Sequence, residues 1–117
     1  MKYKISGKVI RGDGYGKKIG FPTINLETKK GRSKKLPSEG IYSGTVALDS
    51  KKYQAGIVIG PGEKIEAHLL GFSENAYGRQ VTLEINEFLR KYKKFGTEEK
   101  LIMQIKKDLK NVHRHNF

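Results

Sequence analysis

From Gly40 to Arg90 the sequence is a succession of segments with plain β character, separated by turn-forming residues. Ile41 to Leu48 is rich in β-branched and apolar side chains, Asp49-Ser50 supplies a turn, and Tyr53 to Ile59 reads as the returning arm of a hairpin. Gly60-Pro61-Gly62 reverses the chain again, and residues 64–70 give a further strand. After a loop at 71–78, a long strand is predicted over 80–92, with Val81, Leu83 and Ile85 alternating against Thr82, Glu84 and Asn86. The alternation slips near Glu87-Phe88-Leu89, where a bulge or bend is expected.

The ends complete the pattern. Residues 3–11 read as a strand, with Tyr3, Ile5 and Val9 at even spacing. The stretch 27–38 is polar and basic, closes on Pro37 and reads as a loop. Only the C-terminal end is helical. Thr97 can cap it, Glu98 and Glu99 suit a helix N-terminus, and Leu101, Ile102, Ile105, Leu109 and Val112 form an apolar stripe. Short strands followed by one amphipathic helix predict an all-β domain, a small β-barrel plugged or flanked by that helix. At 117 residues, with no internal repeat or linker, the chain reads as a single domain over 1–117.

Composition excludes several classes. Cysteine is absent, which removes disulfides, a thiolate nucleophile and Cys-based zinc sites and fits a reducing cytoplasm. No apolar run approaches the roughly 18–20 residues of a membrane span, and residues 1–6 lack the apolar core of a signal peptide. A soluble, cytoplasmic protein is expected. The formal net charge of +12 favours anionic partners, from nucleic acid to nucleotide phosphates, without choosing among them.

Gly12, Gly14, Gly16 and Gly20 fall within nine residues, beside Lys17 and Lys18. Closely spaced glycines let backbone N–H groups approach a phosphate, although as a generic pattern they more often form turns. The sequence lacks the P-loop pattern G-x-x-x-x-G-K-[ST]. Directly behind come Phe21-Pro22-Thr23-Ile24-Asn25, where a hydroxyl and an amide two residues apart on an extended segment face the same way. Thr23 and Asn25 are oxygen ligands of the kind Mg²⁺ accepts beside nucleotide phosphates.

The run Gly12-x-Gly14-x-Gly16-x-x-x-Gly20-Phe21-Pro22-Thr23-x-Asn25-Leu26, followed by Gly40-Ile41-Tyr42, resembles the ATP-dependent riboflavin kinase family. The resemblance continues through Ile65-Glu66-Ala67-His68-Leu69-Leu70, Tyr77-Gly78, Phe88-Leu89-Arg90 with Lys94-Phe95, and the final helix to Asp108. It implies a six-stranded closed Greek-key β-barrel that binds ATP and riboflavin at one mouth under two mobile flaps. On that pattern the glycine segment 12–20 wraps the ATP phosphates, and Thr23 and Asn25 position Mg²⁺ (or another divalent cation) and the β- and γ-phosphates. Glu66 matches the general base that takes the proton of the riboflavin 5′-hydroxyl, while Tyr77, Gly78 and Arg90 fall on the flavin side. Taken alone, Glu66 reads as a surface carboxylate; within the motif it reads as the base.

Other features carry less. His68 shares a strand face with Glu66 and reads equally as a structural histidine. His113-Arg114-His115 reads as a solvated tail, loop 29–35 as an exposed basic loop, and Asp108 as a surface or capping residue. The sequence departs from the family pattern at Gly71 and Asn75, where acidic residues are usual, and this bears on flavin affinity. Bacterial relatives usually join this domain to an adenylyltransferase; no second nucleotide-binding domain fits in 117 residues, so FMN rather than FAD is the expected product. A small closed barrel exposes no sheet edge, and a monomer is expected. Three readings compete: a nucleic-acid-binding barrel of the OB type, which leaves Thr23, Asn25 and Glu66 without a role; a flavin-binding relative without catalysis; and a kinase using another triphosphate such as CTP.

Overall fold

The computed structural model describes residues 3–27, 36–72 and 74–115, with side chains as far as Val112. Loop 29–35 and the side chains of His113 and His115 therefore lie outside the described residues. In chain order the elements are β1 (Tyr3–Ile10), a single helical turn α1 (Tyr15–Lys18), β2 (Ile24–Leu26), β3 (Gly40–Leu48), β4 (Lys51–Gly60), β5 (Lys64–Leu69), β6 (Gln80–Arg90) and α2 (Glu98–His115). A short 3₁₀ turn, Pro61–Glu63, joins β4 to β5.

Six antiparallel strands close into a barrel in the order β1-β2-β5-β4-β3-β6. β3, β4 and β5 follow one another through tight turns, and β6 returns to lie beside β3, which is Greek-key topology. The β3–β4 turn is made by Asp49 and Ser50, both at positive φ (49° and 67°), the geometry that keeps a two-residue hairpin in step with strand twist. Alternation decides which residues enter the barrel. Ile57 and Ile59 on β4, Ile65 and Ala67 on β5, and Val81, Leu83 and Ile85 on β6 all point inward and are buried. Gly44 belongs to the same layer, because a Cβ there would lie 2.0 Å from the Glu84 carbonyl oxygen and 2.7 Å from Ile57 Cδ1.

The expected slip in β6 is present. Pairing with β3 jumps from Arg90 to Phe88 and from Glu87 to Ile85, so Leu89 and Asn86 are extra residues on that strand. The strand ends at Arg90, earlier than the sequence pattern suggested. α2 flanks the barrel and does not plug it. Lys100 N–H donates to Thr97 Oγ1 at 3.2 Å, the expected cap, and Leu109 and Val112 pack against the bare Cα of Gly56 on β4. Val112 is fully buried there, and burial of such a side chain contributes about 1.5–3 kcal/mol.

Candidate active site

The segment from β1 to β2 is built on glycines for two different steric reasons. A Cβ on Gly12 would lie 2.3 Å from Asn25 Nδ2, and one on Gly16 would lie 2.5 Å from the Phe21 carbonyl oxygen. Both positions let backbone lie flat against β2 and the residues leading into it. Gly14 starts α1 from a left-handed conformation (φ 75°), and Asp13 Oδ1 accepts a hydrogen bond from Tyr15 N–H at 3.0 Å. Phe21 N–H returns to the Gly16 carbonyl at 2.8 Å. The helical turn was not expected, since four residues carry no readable periodicity.

β2 and β5 carry the polar face. Asn25 and Glu66 are direct cross-strand partners, so their side chains leave the sheet on the same side, away from the Ile24, Ile65 and Ala67 layer. His68 follows on that face. Its Nδ1 lies 2.6 Å from the Pro22 carbonyl oxygen; a carbonyl can only accept, so Nδ1 carries the proton and holds the 21–23 segment against β5. Its ring also meets Phe21 edge-on at 5.9 Å.

Outside the barrel Glu66, His68 and Phe21 form one wall of a cavity of about 490 Å³, within the range of small-molecule sites. Thr23, Glu66 and His68 stand on it, with Asp13 and Gly16 from the glycine segment. Leu101, Ile105 and Leu109 of α2, with Tyr92 and Phe95, form the opposite, apolar wall. Tyr15, which lines the cavity, reaches the start of α2, its hydroxyl donating to Glu98 Oε1 at 3.4 Å. Desolvation, and then the Glu98 charge, raises the Tyr15 phenol above its ordinary range. A smaller hollow of about 260 Å³ adjoins, lined by Arg11, Gly12, Asn25 and Lys64. Asn25 is 9% exposed, and its Oδ1 is buried with no hydrogen-bond partner. An orphaned buried acceptor of this kind calls for a ligand, an ion or a water.

Arg90 lines the larger cavity, but its charge is already engaged. Its Nε donates to Asp108 Oδ1 at 2.9 Å and its Nη2 to Asp108 Oδ2 at 2.8 Å, a bidentate pair. Nη1 donates to the Lys91 carbonyl at 3.1 Å, and the guanidinium sits 5.6 Å from the centre of the Phe95 ring. Asp108 is 7% exposed and also accepts from Gln104 Nε2 at 2.9 Å. The expectation of a surface or capping residue is therefore corrected: Asp108 lies inside α2, on the face turned to the barrel. The pair clamps the end of β6, the residues after it and α2 together.

Not every expected residue reaches these cavities. Lys17, Gly14 and Gly20 line neither one, and Gly14 and Gly20 have open space where a side chain would stand. Pro22 contributes its carbonyl to His68. Tyr77 and Gly78 also line neither cavity; Gly78 N–H donates to the Val9 carbonyl at 2.8 Å, and Tyr77, half exposed, carries the Arg11 guanidinium 5.0 Å above its ring. Asp108 and Lys64 were missed. For Asp108 the available signal was its place on the apolar side of the helix, one residue before Leu109.

The fold and site together define a closed Greek-key β-barrel with an outward cavity, one wall polar and glycine-built and the other apolar. A sequence profile of the flavokinase family, described as riboflavin kinase, matches residues 1–116, and the chain belongs to that family. A bifunctional riboflavin kinase/FMN adenylyltransferase of Haemophilus influenzae is 34% identical over 94% of this chain and 37% of its own length. The chain thus spans under two-fifths of that relative. Riboflavin kinase from Trypanosoma brucei superposes with a TM-score of 0.75 at 22% identity, over 97% of this chain and 76% of the other, and so shares the fold. A structure described as a macrolide-efflux protein from Streptococcus pneumoniae superposes with a TM-score of 0.85 at 26% identity, over 94% of this chain and 38% of the other. Among the described residues no helix is long and apolar enough to cross a membrane.

Proposed function

We propose that the chain transfers the γ-phosphoryl group of ATP to the 5′-hydroxyl of riboflavin, giving FMN and ADP. The observation that carries this reading is that Thr23 and Glu66 line one cavity beside an apolar wall with a neutralised arginine, while Asn25, the cross-strand partner of Glu66, lines the adjoining hollow. A neutral, planar acceptor suits Leu101, Ile105, Leu109 and Phe95, and its alcohol end would then reach the polar wall. The triphosphate belongs on the other side, along the glycine segment and the hollow of Asn25 and Arg11.

In the reaction the bond between the γ-phosphorus and the β–γ bridging oxygen breaks, and a bond from that phosphorus to the riboflavin 5′-oxygen forms. Glu66 accepts the hydroxyl proton, and ADP leaves with the electron pair of the broken bond. Catalysis of this kind is positioning plus charge stabilisation, and a placed base contributes about 10²–10⁴-fold. Mg²⁺ fits the oxygens present. Asn25 Oδ1 is buried without a partner, Thr23 offers a hydroxyl, and among the described residues no cluster of three or more acidic or histidine side chains forms a metal cage. A cation held by Thr23 and Asn25 would take its remaining ligands from phosphates and water, as Mg²⁺ commonly does. When bound, it supplies neutralisation of the phosphate charge.

The test is incubation with riboflavin, ATP and Mg²⁺ followed by chromatographic separation of the flavins. FMN should appear in proportion to enzyme, and Thr23→Ala should lower both nucleotide affinity and turnover. Absence of FMN with well-folded protein would refute the reading. Salt-sensitive RNA binding in its place would favour the nucleic-acid-binding barrel.

A further inference from the structure

Among the residues lining the two cavities, only Pro61 and Lys64 are common to both. Lys64 opens β5, and strand alternation puts it on the outward side with Glu66 and His68, while Ile65 and Ala67 face the core. In the turn before it Gly62 and Glu63 both take positive φ, at 72° and 60°. The Lys64 ammonium lies 3.6 Å from Glu66 Oε1, with the lysine side chain 53% exposed. A pair so exposed is weak and easily exchanged for a better anion.

Two other cations of the larger cavity are committed differently. Arg90 is neutralised by Asp108, and Lys93 rests 5.5 Å from the centre of the Phe95 ring on the apolar side. Lys64 stands next to the proposed base and on the wall shared with Asn25.

On the kinase reading above, we propose that Lys64 is an exchangeable phosphate-binding cation: it pairs with Glu66 while the nucleotide is absent, and it moves to the terminal phosphate when a nucleoside triphosphate binds. Four rotatable bonds give the ammonium the reach to do so. Moving the ammonium onto the triphosphate leaves Glu66 Oε1 open to the acceptor hydroxyl only once the donor is in place.

The test compares Lys64→Met, which keeps the stem and loses the charge, with Lys64→Arg. For Lys64→Met, the Kd of a non-hydrolysable ATP analogue with Mg²⁺ should rise roughly tenfold, the loss of one charge-assisted contact. Riboflavin affinity should stay within about twofold. Lys64→Arg should restore most of the nucleotide affinity. Unchanged nucleotide affinity in Lys64→Met would overturn the proposal. So would an equal loss of both ligands, or a collapse of the thermal melt, either of which would make Lys64 structural. The analogue titration needs no turnover, so it reads Lys64 even if the wild-type protein makes no FMN, an outcome that would remove the kinase reading by itself.

Discussion

Substitution of Asp108 by alanine removes one partner of a nearly closed ion pair and leaves the Arg90 guanidinium facing Phe95 without its counter-charge. The side chains of Arg90 and Asp108 are 22% and 10% exposed, so neither charge can be rehydrated without opening α2. Breaking such a pair costs about 3–5 kcal/mol, and the partial exposure of Arg90 places this one near 3 kcal/mol. For a domain of this size that corresponds to a fall in Tm of about 10–12 °C. Urea denaturation with an unchanged m-value checks the loss. The double variant Arg90→Met, Asp108→Leu should recover to within about 1.5 kcal/mol of wild type, because the cost lies in the orphaned charge and not in the missing contact. Both variants should weaken riboflavin binding more than nucleotide binding, since the clamp fixes the apolar wall. The reasoning is refuted if Asp108→Ala loses less than about 1 kcal/mol, or if the double variant is no more stable than the single.

Two further outcomes follow from the geometry. Gly12→Ala would drive a methyl group against the Asn25 amide; nucleotide Kd should rise about tenfold or more, with riboflavin affinity retained, as measured by titration calorimetry. Tyr42 donates to the Ser38 carbonyl at 2.6 Å, and burial raises its phenol above the ordinary 10.0. A raised tyrosine keeps its contribution below the unfolded value and loses it as pH climbs through the folded one, so stability should fall above about pH 10. Tyr42→Phe should cost about 1 kcal/mol at neutral pH and flatten that alkaline decline in denaturation curves.

The barrel was legible because its signals are local. Runs rich in β-branched and apolar residues mark β3 to β5, alternation marks β6, Asp49-Ser50 marks a hairpin, and the broken alternation near Phe88 marks the bulges that the register shows. Thr97 and the stripe from Leu101 to Val112 gave the helix but not its position, since a stripe says what is buried and not against what. The answer depends on β4, where Leu109 and Val112 pack over Gly56, 53 residues before Leu109. The polar wall was legible through the motif around Thr23 and Glu66. That Asn25 and Glu66 are paired partners emerges only from the β2–β5 register. The burial of Asp108 was signalled by its place on the apolar side of the helix, but its pairing with Arg90 could not be read, because the partner lies on another element. Tyr77 and Gly78 show the opposite case, a motif whose residues stand beside β1, outside the cavity.

The central claim is that Glu66 receives a proton from an alcohol positioned in the cavity it shares with Thr23. Rapid-quench single-turnover measurement with γ-labelled ATP and saturating riboflavin isolates that step. Glu66→Gln, which keeps size and hydrogen-bonding capacity while removing the base, should slow label transfer to riboflavin by about 10²–10⁴-fold with nucleotide Kd changed little. Label transfer at the wild-type rate in that variant would contradict the claim.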